Sequence, residues 1–126
     1  MLVLDAFTSG AIPVHLLTRE AFALYEDRLA PDGVLAFHIS NRHLELAPLV
    51  RAMASDLGFA SVIEEDVATI PVSAAGQTLG SRWAFLTRTP EALRSRGFPS
   101  AESPALTGRA PVWTDDRSDL WSLFQW

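Results

Sequence analysis

The sequence predicts an α/β domain built on a mostly parallel sheet of about four strands. Three observations carry this. Short apolar runs without alternation stand at 2–4 (LVL) and 34–39 (VLAFHI), as in strands buried on both faces. Stretches with helical apolar spacing follow each of them. Turns rich in Gly and Pro separate the two kinds of segment.

The first strand ends at Asp5. Thr8, Ser9 and Gly10 then form a loop, and Pro13 delays the helix. Thr18 suits an N-cap and Glu20 the positive first turn of a helix. Leu17, Ala21, Leu24 and Tyr25 fall on one face of that helix. The run Ala30-Pro31-Asp32-Gly33 stops it. After the second strand, Ser40-Asn41-Arg42 forms a polar loop, with Asn41 as a turn or cap residue. A second helix starts near Leu46, with Pro48 confined to its first turn. Leu46, Leu49, Val50, Met53 and Leu57 form its apolar face, and Gly58 suits its C-terminal cap.

A third strand is expected over 59–65 and a fourth over 82–88, joined by a long loop with Pro71, Gly76 and Gly80. With no clear helix between them, these two pair as a wide antiparallel hairpin at the sheet edge. Thr89-Pro90-Glu91 starts a short helix that ends before Gly97. Residues 98–111 wrap the surface. The end combines a polar turn with a short apolar helix carrying Leu120, Leu123 and Phe124. Residues 1–126 read as a single domain without internal repeats.

Composition narrows the function. Hydrophobic residues make up 48% of the chain and charged residues 20%, enough to fill a core. The net charge is -5, and the ten basic residues, all arginine, are scattered, which argues against nucleic-acid binding. Cysteine is absent, which excludes disulfides and thiolate chemistry. The opening MLVLDAF meets a carboxylate after four residues, unlike a signal peptide, so a cytoplasmic location is expected.

Several residues have two readings. Asp5 at a strand tip is a catalytic candidate or a loop-fixing aspartate. His15 contacts substrate or, as the favoured reading, packs the 12–17 turn. His38, inside an apolar strand, reads as a hydrogen-bonded core histidine. His38 and His43 lack a carboxylate at ligand spacing, so no metal site is expected. Ser9 has no paired base, so a hydrolase is disfavoured. Asp115 and Asp116 suit cation binding, but an N-cap cluster is favoured. Trp113, Trp121, Phe124 and Trp126 read as the seal of a small core rather than an aromatic binding surface.

Three stretches, LVLDAFTSGAIPVHLLTREAF, LAPDGVLAFHISNRHLEL and VWTDD, resemble spermidine synthase-like proteins, the polyamine aminopropyltransferases. They are most similar to the bacterial group in which such a domain is often fused to a membrane transporter-like region. The resemblance covers nearly the whole chain. It implies a partial Rossmann-like, methyltransferase-type three-layer sandwich with one antiparallel strand near the end, matching the C-terminal half of the catalytic domain.

The resemblance makes Asp5 the catalytic carboxylate, which orients and deprotonates an amine, with Thr8, Ser9, His15, Asp115 and Asp116 as substrate-binding candidates. Decarboxylated S-adenosylmethionine is implied as co-substrate and a small amine as partner. Gly10 replaces an acid that relatives often carry. Asp115 or Asp116 compensates only if the C-terminal segment folds back over the strand ends. No Gly-x-Gly pattern follows a strand, so no cofactor is assigned to this chain and activity alone is not expected. The alternative is a non-catalytic fragment that forms a homo-oligomer through the Leu2–Leu4 edge, or pairs there with a missing N-terminal half.

Overall fold

In the computed structural model, strand β1 (Leu2–Leu4) pairs in parallel with β2 (Leu35–His38), in the register Leu2 to Leu35 and Leu4 to Phe37. The structure describes residues 1–6, 13–41, 44–66, 80–101, 112–119 and 123. Between the two strands lie a 3-10 turn (Val14–Leu16) and helix α1 (Arg19–Arg28). Helix α2 (Ala47–Asp56) leads to β3 (Ala60–Asp66), then β4 (Ser81–Thr87) and helix α3 (Pro90–Arg94).

The sheet order is β1-β2-β4-β3. β4 runs against both of its neighbours, so β1, β2 and β3 share one direction and only β4 is reversed. The expected hairpin of the last two strands is therefore present. It is inserted so that β4, not β3, meets β2. The composition of the strands fits this. The central strands β2 and β4 bury Leu35, Ala36, Phe37, Ala84 and Leu86, whereas edge strand β3 carries Glu64 and Glu65.

Helix α1 begins where its cap predicts. The Thr18 hydroxyl accepts the amide of Ala21 at 3.3 Å, and Glu20 occupies the first turn. Its buried face is the expected one except at a single position. Leu24 is 63% exposed, and Phe22 is fully buried in its place, stacked on Phe37 of β2 with ring centroids 5.1 Å apart. Leu17, Ala21 and Tyr25 pack inward as predicted, with Phe22 and Leu29 added to the face and Leu24 lost from it.

Helix α2 buries Leu49, Val50 and Met53, with Pro48 in its first turn and Leu46 buried at its cap. Gly58 follows with φ +75°, the left-handed backbone that a C-terminal glycine supplies. Both helices pack into one core with Leu35, Phe37, Leu86 and Trp113. A smaller cluster of Ala60, Val62 and Leu93, with Phe85 and Phe98 against it, joins β3, β4 and α3. No helix among the described residues is long and apolar enough to cross a membrane.

The C-terminal segment docks on the start of α1. The amide of Arg19 donates to the carbonyl of Trp113 at 2.8 Å, and Thr18 donates its hydroxyl hydrogen to Asp115 Oδ1 at 2.6 Å. Residues 114–117 form a turn closed by two backbone hydrogen bonds. Leu123 is buried, and its carbonyl accepts the amide of Glu45. Trp113 is buried in the core, as expected; Trp121, Phe124 and Trp126 lie outside the described residues.

Candidate functional site

β1 and β2 run the same way, so their carboxyl ends meet at one rim of the sheet, where open α/β sheets bind ligands. Asp5 follows the last residue of β1, and His38 is the last residue of β2. Side chains alternate across a strand, so Val3 and Asp5 share a face with Ala36 and His38, opposite the face that packs α1 and α2.

Asp5 Oδ1 and His38 Nδ1 are 2.7 Å apart. The Asp5 side chain is 57% exposed and the imidazole only 17%. No other partner of the Asp5 carboxylate occurs among the described residues. Directly opposite His38 in the β2–β4 ladder stands Trp83, whose ring stacks on the imidazole at 4.6 Å and 15°. Glu64 of β3 is in turn opposite Trp83. The rim therefore carries a carboxylate, an imidazole, an indole and a second carboxylate in one row.

The other face of the same rim is an ion-pair junction. Arg82 Nη1 donates to both oxygens of Glu45 at 2.6 Å, and its Nε lies 2.6 Å from Glu65. The Nε contact is an ion pair rather than an aligned hydrogen bond, because that buried N–H has no properly directed acceptor. Burial is the largest influence on Arg82 and works to lower its pKa. The two carboxylates together outweigh it, so the pKa is raised. The Ser40 hydroxyl accepts the amide of Arg82, which ties the loop after β2 to the start of β4.

The sequence candidates separate into three groups. Asp5 stands at the rim as expected, and His38 is hydrogen-bonded as expected, but to Asp5. That link was missed, although both strands end in a polar residue after an apolar run, LVL-Asp5 and LAF-His38. Thr8, Ser9 and His43 lie outside the described residues.

None of the third group has a hydrogen bond or ion pair with Asp5 among the described residues. His15 is exposed within the 3-10 turn, and its carbonyl lies 3.3 Å from the Thr18 hydroxyl. Asp115 meets Thr18 and, through its amide, Glu20; neither Asp115 nor Asp116 has a contact with Asp5 among the described residues. Asn41 caps a turn by accepting the amide of Leu44 at 3.0 Å, as expected. Among the described residues no group of three or more His, Asp or Glu is placed to hold a metal ion.

No family model, curated protein or solved structure matches the chain.

Chemically, the rim offers at Asp5 a carboxylate that is more than half exposed. Such a group can bind an ammonium and accept its proton. Aromatic walls beside it favour the alkyl part of an amine.

Proposed function

We propose that this chain is a spermidine synthase-like domain that supplies the amine side of an aminopropyl transfer. The observation that carries the reading is the Asp5 carboxylate, half exposed at the carboxyl end of β1 with one oxygen bound by His38. The single reversed strand near the end of the sheet supports it, because the sequence resemblance implies such a strand.

In this reaction Asp5 binds a primary ammonium and takes its proton. The freed nitrogen lone pair attacks the propyl carbon bonded to a sulfonium sulfur. The C–S bond breaks with its electron pair left on sulfur, which departs as a neutral thioether, and the new N–C bond completes the transfer. The donor is a decarboxylated S-adenosylmethionine, whose binding the proposal does not assign to this chain. Alone, the chain binds amine without turnover. A cytoplasmic location belongs to the same proposal.

Calorimetric titration with 1,4-diaminobutane tests it. Saturable binding is expected, and Asp5→Asn weakens it about tenfold or more, the worth of one charged hydrogen bond. Absence of binding at millimolar diamine sinks the reading.

A second reading rests on a different observation. β1 is an outer strand of the sheet, and Val3 is 48% exposed on it. An open strand edge is a template for pairing, so the alternative is self-assembly of two copies through Leu2–Leu4. Sedimentation of the chain at micromolar concentration decides it: a monomer throughout rules this reading out.

A further inference from the structure

We propose that His38 is the positioning residue for Asp5. The proposal rests on the reading of Asp5 as the amine-binding carboxylate. The imidazole is held on two sides. Its backbone is part of the β2–β4 ladder opposite Trp83, and its ring is stacked on the indole at 4.6 Å. It is 17% exposed, so it has little room to turn. Asp5, in contrast, follows the end of a three-residue strand and is more than half exposed. The fixed partner orients the free one.

The tautomer follows from the geometry. An ionised carboxylate can only accept, so the ring nitrogen 2.7 Å from it carries the hydrogen. In the neutral ring Nε2 is then a bare acceptor. It is buried and without a hydrogen-bond partner among the described residues, so no amine reaches it and His38 is not itself the base. A histidine kept only for packing gains nothing from that unpaired nitrogen, since burying an unsatisfied polar atom costs stability. Phenylalanine fills the same place beside Trp83 without this cost. Among the described residues the one polar contact of the ring is the bond to Asp5, which fixes Oδ1 and leaves Oδ2 for the amine.

Two variants and one ligand-free measurement test this. His38→Phe keeps the stack but loses the donor. His38→Asn loses the stack but places an amide N–H near the position of Nδ1. With 1,4-diaminobutane, His38→Phe is expected to bind about tenfold or more weakly, and His38→Asn to recover most of that loss. Equal binding by His38→Phe and the wild type overturns the proposal, as does an equal loss in both variants.

Side-chain nitrogen NMR of the wild type, with His38 assigned by its loss in His38→Asn, is expected to show the Nδ1–H tautomer. The Nε2–H tautomer overturns the proposal. Should the wild type bind no diamine, the reading of Asp5 fails. The tautomer then still decides whether His38 holds the carboxylate.

Discussion

The hydroxyl of Thr18 lies 2.6 Å from Oδ1 of Asp115 while accepting the amide of Ala21 at 3.3 Å. One side chain thus caps α1 and holds the C-terminal segment. Its single hydrogen goes to the carboxylate rather than to the His15 carbonyl at 3.3 Å, the longer contact. Thr18→Ala is expected to cost about 1–2 kcal/mol, measured by urea unfolding. Asp115→Ala costs less, about 0.5–1 kcal/mol, because Asp115 is exposed. The double variant loses less than the sum, since both changes remove the same bond.

Gly33 is required by space and Gly58 by conformation. A Cβ on Gly33 would stand 2.6 Å from Leu29 Cγ and 2.9 Å from the carbonyl oxygen of Ala30. The leucine can turn; the carbonyl cannot, because it accepts the amide of Gly33 itself at 2.8 Å. Gly33→Ala is therefore expected to lower stability by about 1–3 kcal/mol. Gly58 has φ +75° and open space around it, so Gly58→Ala costs about 1–2 kcal/mol of backbone strain. Thermal unfolding of the two variants checks both losses, and relaxing Leu29 is expected to rescue neither. Leu29→Ala combined with Gly33→Ala retains the carbonyl clash.

Tyr25, the one tyrosine of the chain, makes alkaline stability measurable at a single site. Burial pushes its phenol up from the ordinary value. The folded chain then keeps this proton at pH values where the unfolded chain has lost it. The stabilisation is complete below the unfolded value of about 10 and declines as pH rises toward the folded value. Tyr25→Phe is expected to remove this contribution to the slope. At neutral pH it costs about 1 kcal/mol for the lost bond from the phenol to the Leu16 carbonyl. Denaturant midpoints measured across the alkaline range provide the check.

Backbone exchange should distinguish the two ends of the sheet. Leu2 donates to the Val34 carbonyl, so alternation turns the amide of Val3 away from β2. That amide is expected to exchange fast in hydrogen–deuterium measurements. Ala36 and Phe37 lie between two strands and should be the slowest.

Most of the strands and helices were legible in the sequence because each carries a local signal. Thr18 has the right side chain for a cap, Pro48 fits only a first turn, and Gly58 reaches a backbone that other residues avoid. On α1 only Leu24 departs from the expected face: Leu24 and Phe22 are both apolar, and spacing alone does not tell which of them meets β2. The aromatic ring of Phe37 decides it. Asp5 was legible as a strand-tip carboxylate, but its bond to His38 was not. That contact depends on how β1 and β2 align, and the apolar runs LVL and LAF fit one another in more than one register.

The reversed strand has a consequence for how the protein is made. β2 leaves the ribosome with β1 already available on one side, yet its other neighbour is β4, the last in chain order of the four described strands. Residues paired between β2 and β4 are more than twice as far apart along the chain as those paired between β3 and β4 near the same rim. Closing the shorter loop costs less entropy. The nascent sheet is expected to grow as two pieces, with the late hairpin added to β2 as a unit. Until it arrives, the apolar side chains of β2 depend on α1 and α2 for cover.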